Sequence, residues 1–207
     1  IAEYPSNISE AKTGQMRCHW LMGNYDMAKA SAEKVIAIEK NSDEIKCEAH
    51  IIIGKTYLEI KYYDLASKEF LNVVYLTNSE KNAEAKYYIG YIQFLKQQYK
   101  ESQKEIFELI NQKPGYNYWI EKGFILLADD YEAVNDHFNA KYALQSLIDK
   151  SSNAETIATA KEKLNLIIEN EKKEEEMKQR KKAEELQIQF QPDNAKDSTL
   201  YKQDEIK

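Results

Sequence analysis

The side chains best able to hold a metal ion are two cysteines and two histidines, Cys18, His19, Cys47 and His50. Cys47 and His50 are three residues apart, which places them on one side of a helix, a spacing that zinc sites use. Cysteine is, however, more often a small buried apolar residue, and His50 falls where a neighbouring helix is expected to pack. We therefore predict no metal site and no cofactor, and two cysteines are too few for a disulfide framework.

The carboxylates best placed for catalysis are the adjacent pair Asp129 and Asp130. Neighbouring residues on a helix diverge by about 100° around its axis, so these two side chains cannot converge on one substrate. His137 stands where an aromatic residue recurs along the chain, which favours packing over catalysis. The sequence has no phosphate-binding glycine loop, HExxH motif or Gly-x-Ser-x-Gly motif. We predict a noncatalytic protein with no catalytic residues.

The composition indicates which kind of secondary structure carries these residues. The chain has 207 residues, of which 31% are charged, with only six glycines and three prolines, a balance typical of an all-α protein. Its net charge of −6 disfavours a nucleic-acid partner. No apolar run approaches the roughly 18 residues that a membrane-spanning helix needs, so we expect no transmembrane segment. Fifteen tyrosines suit half-buried helix faces, because the ring packs while the hydroxyl stays accessible.

A repeated spacing organises the chain into similar units. A small residue is followed nine residues later by an aromatic or His and three residues after that by another small residue. The sets are Gly54, Tyr63 and Ala66; Gly90, Tyr99 and Ser102; Ala128, His137 and Ala140; and, more loosely, Gly14, Gly23, Tyr25 and Ala28. Recurrence at a period of 30 to 50 residues is the signature of stacked helical or solenoid repeats.

These marks resemble the tetratricopeptide repeat (TPR) family, whose unit is a helix-turn-helix of 34 residues. Aligning on them gives four repeats, at about 9–42, 47–80, 83–116 and 121–154. The resemblance implies an all-α, right-handed α-solenoid of TPR-like helical hairpins. Gly23 and Asn135 fall at the turn between the two helices, where a left-handed backbone is common. Lys61 and Gln97 replace glycine there, at a cost of about 1 kcal/mol if the backbone is left-handed.

The two ends of the chain lie outside the four repeats. Pro5 stands where a preceding repeat would end, so residues 1–8 are predicted to close an upstream repeat. Asn153 can cap a helix whose apolar spacing covers the last hairpin, which makes residues 155–186 a capping helix with a charged extension. Residues 187–207 contain Pro192 and few apolar side chains, and we expect them to form a disordered tail.

The first helix of each TPR hairpin lines a concave face, and the resemblance places particular residues of this chain there. The candidate partner-binding residues are Arg17, Trp20, Lys55, Tyr87, Tyr91, Phe94 and Asp129. Aromatic side chains in a groove give a large contact area at a small entropy cost, so they could anchor a protein or peptide segment. The alternative is that these rings only pack between repeats.

The chain departs from one known TPR specialisation. TPR domains that hold chaperone C-termini use a clamp of Lys, Asn and Arg residues, and the comparable places here hold Thr13, Arg17, Ile52, Glu84 and Tyr88. The function that we predict is a noncatalytic scaffold that binds a partner segment. A structural spacer or self-association module of a longer array is the alternative.

Residues 86–110 and 123–149 also resemble TPR proteins of the bacterial cell envelope. That resemblance favours a periplasmic or envelope-associated location, and a cytoplasmic location stays open.

Overall fold

A computed structural model describes residues 5–189, with side chains described for residues 7–186. Within that range the chain forms nine α-helices and no strand, which confirms the all-α prediction. The helices are α1 (Pro5–Leu21), α2 (Tyr25–Ile36), α3 (Asp43–Glu59), α4 (Tyr63–Leu76), α5 (Glu80–Leu95), α6 (Tyr99–Asn111), α7 (Asn117–Ala133), α8 (His137–Lys150) and α9 (Ala154–Gln189).

The first eight helices form four hairpins that stack in sequence order. In the pairs α1–α2, α3–α4, α5–α6 and α7–α8, the two helices pack against each other, and the second helix of each hairpin packs against the first helix of the next. The first helices α1, α3, α5 and α7 also contact their successors directly. They therefore line one continuous side of the stack, and the predicted α-solenoid is confirmed.

The turn inside each hairpin has the same backbone conformation in all four copies. Gly23, Lys61, Gln97 and Asn135 have φ between +60° and +72°. Each turn also repeats one pair of hydrogen bonds: the N–H of Gln97 donates to the carbonyl of Phe94, and the N–H of Gln98 to that of Gln93. This is the left-handed ending of a helix in which orphan carbonyls regain donors. The left-handed backbone considered for Lys61 and Gln97 is therefore present.

Small residues bring the two helices of a hairpin together. A Cβ atom at Gly54 would lie 2.9 Å from the Phe70 ring, and one at Gly90 would lie 2.8 Å from Cδ1 of Ile106. In the first hairpin Met16 holds the position that Gly54 and Gly90 hold in the next two. Its side chain is fully buried against α2 and α3, so the larger residue fills the space between the helices.

The two ends of the stack are helical. Residues 5–8 form the first turn of α1, and the assignment of residues 1–8 to the end of an upstream repeat stays a prediction. Proline is well tolerated there because the first turn has no partner for its missing N–H. At the other end Oδ1 of Asn153 accepts the N–H groups of Glu155 and Thr156, at 3.0 and 3.3 Å, as a helix cap does.

The described residues divide into two units, one up to Leu164 and one from Asn165 onward. From residue 168 to 186 the side chains of α9 are exposed or half-buried, as a charged, solvated helix requires. Apart from 187–189, which end α9, the predicted disordered tail lies outside the described residues. Over the part of the chain that is described, none of the helices is both long enough and apolar enough to cross a bilayer.

Candidate functional site

The side of the stack lined by α1, α3, α5 and α7, here named the first-helix face, carries the predicted partner-binding residues. A chain of contacts links five of them, Trp20, Lys55, Tyr87, Tyr91 and Phe94, across the hairpins. The Lys55 ammonium lies 6.0 Å from the centre of the Trp20 ring and 5.1 Å from that of Tyr88. Tyr88 in turn lies 5.4 Å from Tyr87. The structure therefore places the residues of three different hairpins beside one another.

Ion pairs bridge three boundaries along this face. Nε of Arg17 lies 2.6 Å from Oε1 of Glu48, and Nη2 lies 2.7 Å from Oε2, so the pair is bidentate. Nζ of Lys55 lies 2.6 Å from Oε1 of Glu84.

The third pair joins Nζ of Lys163, in α9, to Oδ1 of Asp129 at 2.6 Å. Partly exposed pairs of this kind each stabilise the fold by only about 0–1 kcal/mol.

The boundary between α5 and α7 is aromatic instead. The Trp119 ring lies 5.5 Å from Tyr87 and 6.0 Å from Tyr88, and it is only 7% exposed. Along α5, the Tyr87 and Tyr91 rings stack at 6.2 Å, and the Tyr91 and Phe94 rings at 6.5 Å. We name the set Tyr87, Tyr91, Phe94, Tyr118 and Trp119 the aromatic row.

Tyr87 and Tyr88, which both contact Trp119, have raised pKa values. Burial raises the pKa of Tyr88 to about 12, with a further contribution from the negative charge of Glu84. Burial also raises the pKa of Tyr87, and the neighbouring Tyr88 adds to the effect. Both phenols therefore stay neutral at physiological pH and act as hydrogen-bonding, apolar surface.

Lys122 places a positive charge among the rings at the boundary between α5 and α7. Its ammonium lies 5.1 Å from the ring centre of Tyr118 and 5.5 Å from those of Tyr87 and Trp119. Cation–π contacts of this kind contribute about 0.5–1 kcal/mol at exposed sites. No carboxylate within residues 7–186 pairs with Lys122.

The candidate catalytic pair, Asp129 and Asp130, is divided between two environments. Asp129 faces Lys163 on α9, whereas Asp130 is fully buried between hairpins, where its Oδ2 accepts the hydroxyl of Ser102 at 2.7 Å. Oδ1 of Asp130 has no hydrogen-bond partner. Burial raises the pKa of Asp130 to about 7, the Ser102 hydrogen bond lowers it, and the nearby charge of Asp129 raises it.

The Cys and His side chains do not converge on one point. Cys47 lies in a hydrophobic cluster with Ile51 and Phe70, and burial raises the pKa of its thiol to about 11. Nδ1 of His50 lies 2.6 Å from Oε2 of Glu69 on the next helix, while Cys18 is exposed. Among the described residues, no group of three or more His, Cys, Asp or Glu side chains could hold a metal ion.

Two features of the site were missed from the sequence. Trp119 was not assigned to the face, although it is an aromatic residue three positions before Lys122. The Ser102–Asp130 contact was also missed. Its signal was Ser102 itself, a polar residue at the position where the second and fourth repeats have Ala66 and Ala140.

The stacked hairpins, the shared left-handed turns and the continuous first-helix face define an α-solenoid of the TPR type. Three solved structures illustrate the likeness. The chain is 21% identical to the crystal structure of MamA protein, with a TM-score of 0.61 over 88% of this chain and 95% of that one. It is 16% identical to PilF of Pseudomonas aeruginosa, with a TM-score of 0.63 over 82% of this chain and 71% of that one.

The third is MamA from Desulfovibrio magneticus RS-1, at 16% identity and a TM-score of 0.57 over 83% of this chain and 95% of that one. At these identities the likeness establishes the fold, and the predicted TPR-type architecture is confirmed. No protein-family model matches the chain, and no curated protein sequence matches it significantly.

Proposed function

We propose that the protein is a noncatalytic interaction scaffold that binds an extended segment of a partner protein along its first-helix face. The observation that carries this proposal is the aromatic row, which runs without a break from Tyr118 on α7 to Phe94 on α5. The candidate contact residues are Arg17, Trp20, Lys55, Tyr87, Tyr91, Phe94 and Asp129.

The row contains both packing and accessible members. Trp119 is nearly buried and serves mainly to join α5 to α7. Tyr118 is 53% exposed, and Tyr91 and Phe94 are half-buried, so three rings of the row retain accessible surface. Rings that are already held in place by stacking lose little conformational entropy on binding, which favours their use as anchors.

The proposal is tested by selecting a random 12-residue peptide display library on the immobilised 207-residue chain. The selected peptides are then synthesised, and their Kd is measured by fluorescence anisotropy against the wild type and the double variant Tyr91→Ala/Phe94→Ala. Loss of two anchors at the centre of a contact is expected to weaken binding by about tenfold or more. Circular dichroism checks that the variant remains helical.

The matched control is Tyr75→Ala, which removes an 83% exposed tyrosine from α4, a second helix of a hairpin. Its Kd should equal that of the wild type. Peptides that bind the double variant as tightly as the wild type would place their site elsewhere and refute the use of this face.

The alternative, a spacer or self-association module, makes a different prediction for the same material. It requires assembly that depends on protein concentration in analytical ultracentrifugation and that is lost on deleting residues 169–207. It also requires that the aromatic double variant leave that assembly unchanged.

A further inference from the structure

The ion pairs of the first-helix face follow one sequence register. At the first two boundaries the ninth residue of one predicted repeat pairs with the second residue of the next. Arg17 and Glu48 hold these positions at the first boundary, and Lys55 and Glu84 hold them at the second. Both boundaries are closed by a cation on the earlier helix and a carboxylate on the later one.

The third boundary breaks this register. The ninth residue there is Tyr91 and the second residue of the next repeat is Lys122. The later helix thus carries a cation instead of a carboxylate, and the side chain of the earlier helix that lies beside it is the Tyr87 ring, 5.5 Å from the ammonium. Carboxylates on the two helices of this boundary already have partners. Glu84 pairs with Lys55, Asp129 pairs with Lys163, and Glu121 accepts the hydroxyls of Ser151 and Thr156.

Lys122 is also held in place without such a partner. Three rings surround its ammonium at 5.1 to 5.5 Å, so its side chain is fixed while its charge remains unneutralised by any carboxylate among residues 7–186. A positioned cation beside accessible rings is complementary to a negative group that is joined to apolar surface. A hydrogen bond between two charged groups is roughly twice as strong as a neutral one, so this position can discriminate strongly between partners.

We propose that Lys122 binds an aspartate or glutamate side chain within the partner segment, and that an aromatic or aliphatic neighbour of that residue packs on Tyr118 or Tyr91. The partner thereby supplies the carboxylate that the register lacks at this boundary. This inference rests on the proposed function, because it assigns the charge of the segment that the first-helix face binds.

The test uses the same 12-residue display library. Affinities are measured with C-terminally amidated synthetic peptides, and the tightest peptide is also measured with a free C-terminus. Peptides selected on the wild-type chain should be enriched in Asp or Glu next to an aromatic or aliphatic residue. In the tightest peptide, replacing that acid by its amide should weaken binding to the wild type by about tenfold, since one charge-assisted hydrogen bond is lost. The same replacement should have no effect on binding to Lys122→Gln.

Two further variants complete the cycle. Lys122→Arg keeps a cation at this place and should retain the preference for the acidic peptide. Lys29→Gln removes a cation that pairs with Glu33 on α2, a second helix of a hairpin outside the first-helix face, and should leave the preference unchanged. Because the contact is between charges near the surface, raising the salt concentration from about 50 to 500 mM should reduce the preference.

The outcomes separate this inference from the proposed function. Peptides that require Tyr91 and Phe94 but show no preference for acid would overturn the role of Lys122 and leave the binding face intact. An acid preference that survives in Lys122→Gln, or binding that is abolished by C-terminal amidation, would likewise overturn it. Peptides that ignore the aromatic row altogether would refute both.

Discussion

Asp130 is a carboxylate that is fully buried between two hairpins. It is inaccessible to solvent, and only one of its two carboxylate oxygens has a hydrogen-bond partner, the hydroxyl of Ser102. An ionised carboxylate in such a place is unfavourable, which is why burial raises its pKa from 3.8 to about 7. The folded protein therefore binds a proton at Asp130 more tightly than the unfolded chain does.

Because this pKa differs between the folded and unfolded states, the free energy of unfolding depends on pH. Because the folded pKa is above the unfolded one, the contribution of Asp130 to the free energy of unfolding is fully present below about pH 4. It is lost as the pH rises to about 7. Asp130→Asn keeps a polar partner for Ser102 but cannot ionise. Its free energy of unfolding relative to the wild type should rise through that window by up to about 1.4 kcal/mol per pH unit.

Urea denaturation at a series of pH values measures the difference. The control is Asp149→Asn, an exposed carboxylate that accepts a hydrogen bond from Gln145, where the change should stay within about 0.5 kcal/mol at every pH. A constant difference between Asp130→Asn and the wild type across the window would show that the buried group does not take up the proton.

At the scale of the helices, the contact inside the second hairpin depends on Gly54. The nearest atoms to an added Cβ belong to the Phe70 ring, at 2.9 Å, and this ring is fully buried, so it has little room to move. Gly54→Ala should lower the free energy of unfolding by about 1–3 kcal/mol, because overpacking outweighs the gain in helix propensity.

Gly14→Ala is the matched control for this prediction. Gly14 also lies inside a first helix, but an added Cβ would meet nothing within 4 Å. That variant should be more stable than the wild type by about 0.5–1 kcal/mol, since alanine favours a helix and glycine does not. The free energies of unfolding of the two variants, measured by chemical denaturation, should therefore change in opposite directions. A change in the same direction would mean that Phe70 does not limit the size of the residue at position 54.

Local chemistry explains which elements could be predicted from the sequence. Turn positions and helix caps act within a few residues, and the small residues act within one hairpin, so Gly54, Gly23 and the Asn153 cap had recognisable patterns. The left-handed turns at Lys61 and Gln97 followed from the register of the repeat, although neither residue favours that backbone.

The site was harder to predict because its contacts join different hairpins. Ser102 meets Asp130 across 28 residues, and Arg17 meets Glu48 across 31. Such pairs depend on how one hairpin sits on the next, which spacing within a repeat does not determine. The complementary charges at the ninth and second positions were a usable signal, but only once the stacking of the hairpins was known.

Among the eight helices of the stack, the extensive contacts between hairpins join neighbours, so stability should behave as a sum of hairpin and interface contributions. Two buried side chains test this at different places. Met16 packs in a cluster that joins the first hairpin to α3, with Ala28, Val35 and Ile52 among its neighbours. Ile106 lies where α5, α6 and α7 meet, close to both Gly90 and Gly123.

Replacing either side chain by alanine should remove about 2–5 kcal/mol of local stability. In native-state hydrogen exchange, Met16→Ala should speed exchange in α1 and α2, and less in α3, while α6 to α8 stay as protected as in the wild type. Ile106→Ala should speed exchange in α5 to α7 most. Tyr75→Ala, at an exposed position, should change neither pattern. Equal acceleration in every helix for both buried variants would mean that the eight helices unfold as one cooperative unit and not as coupled neighbours.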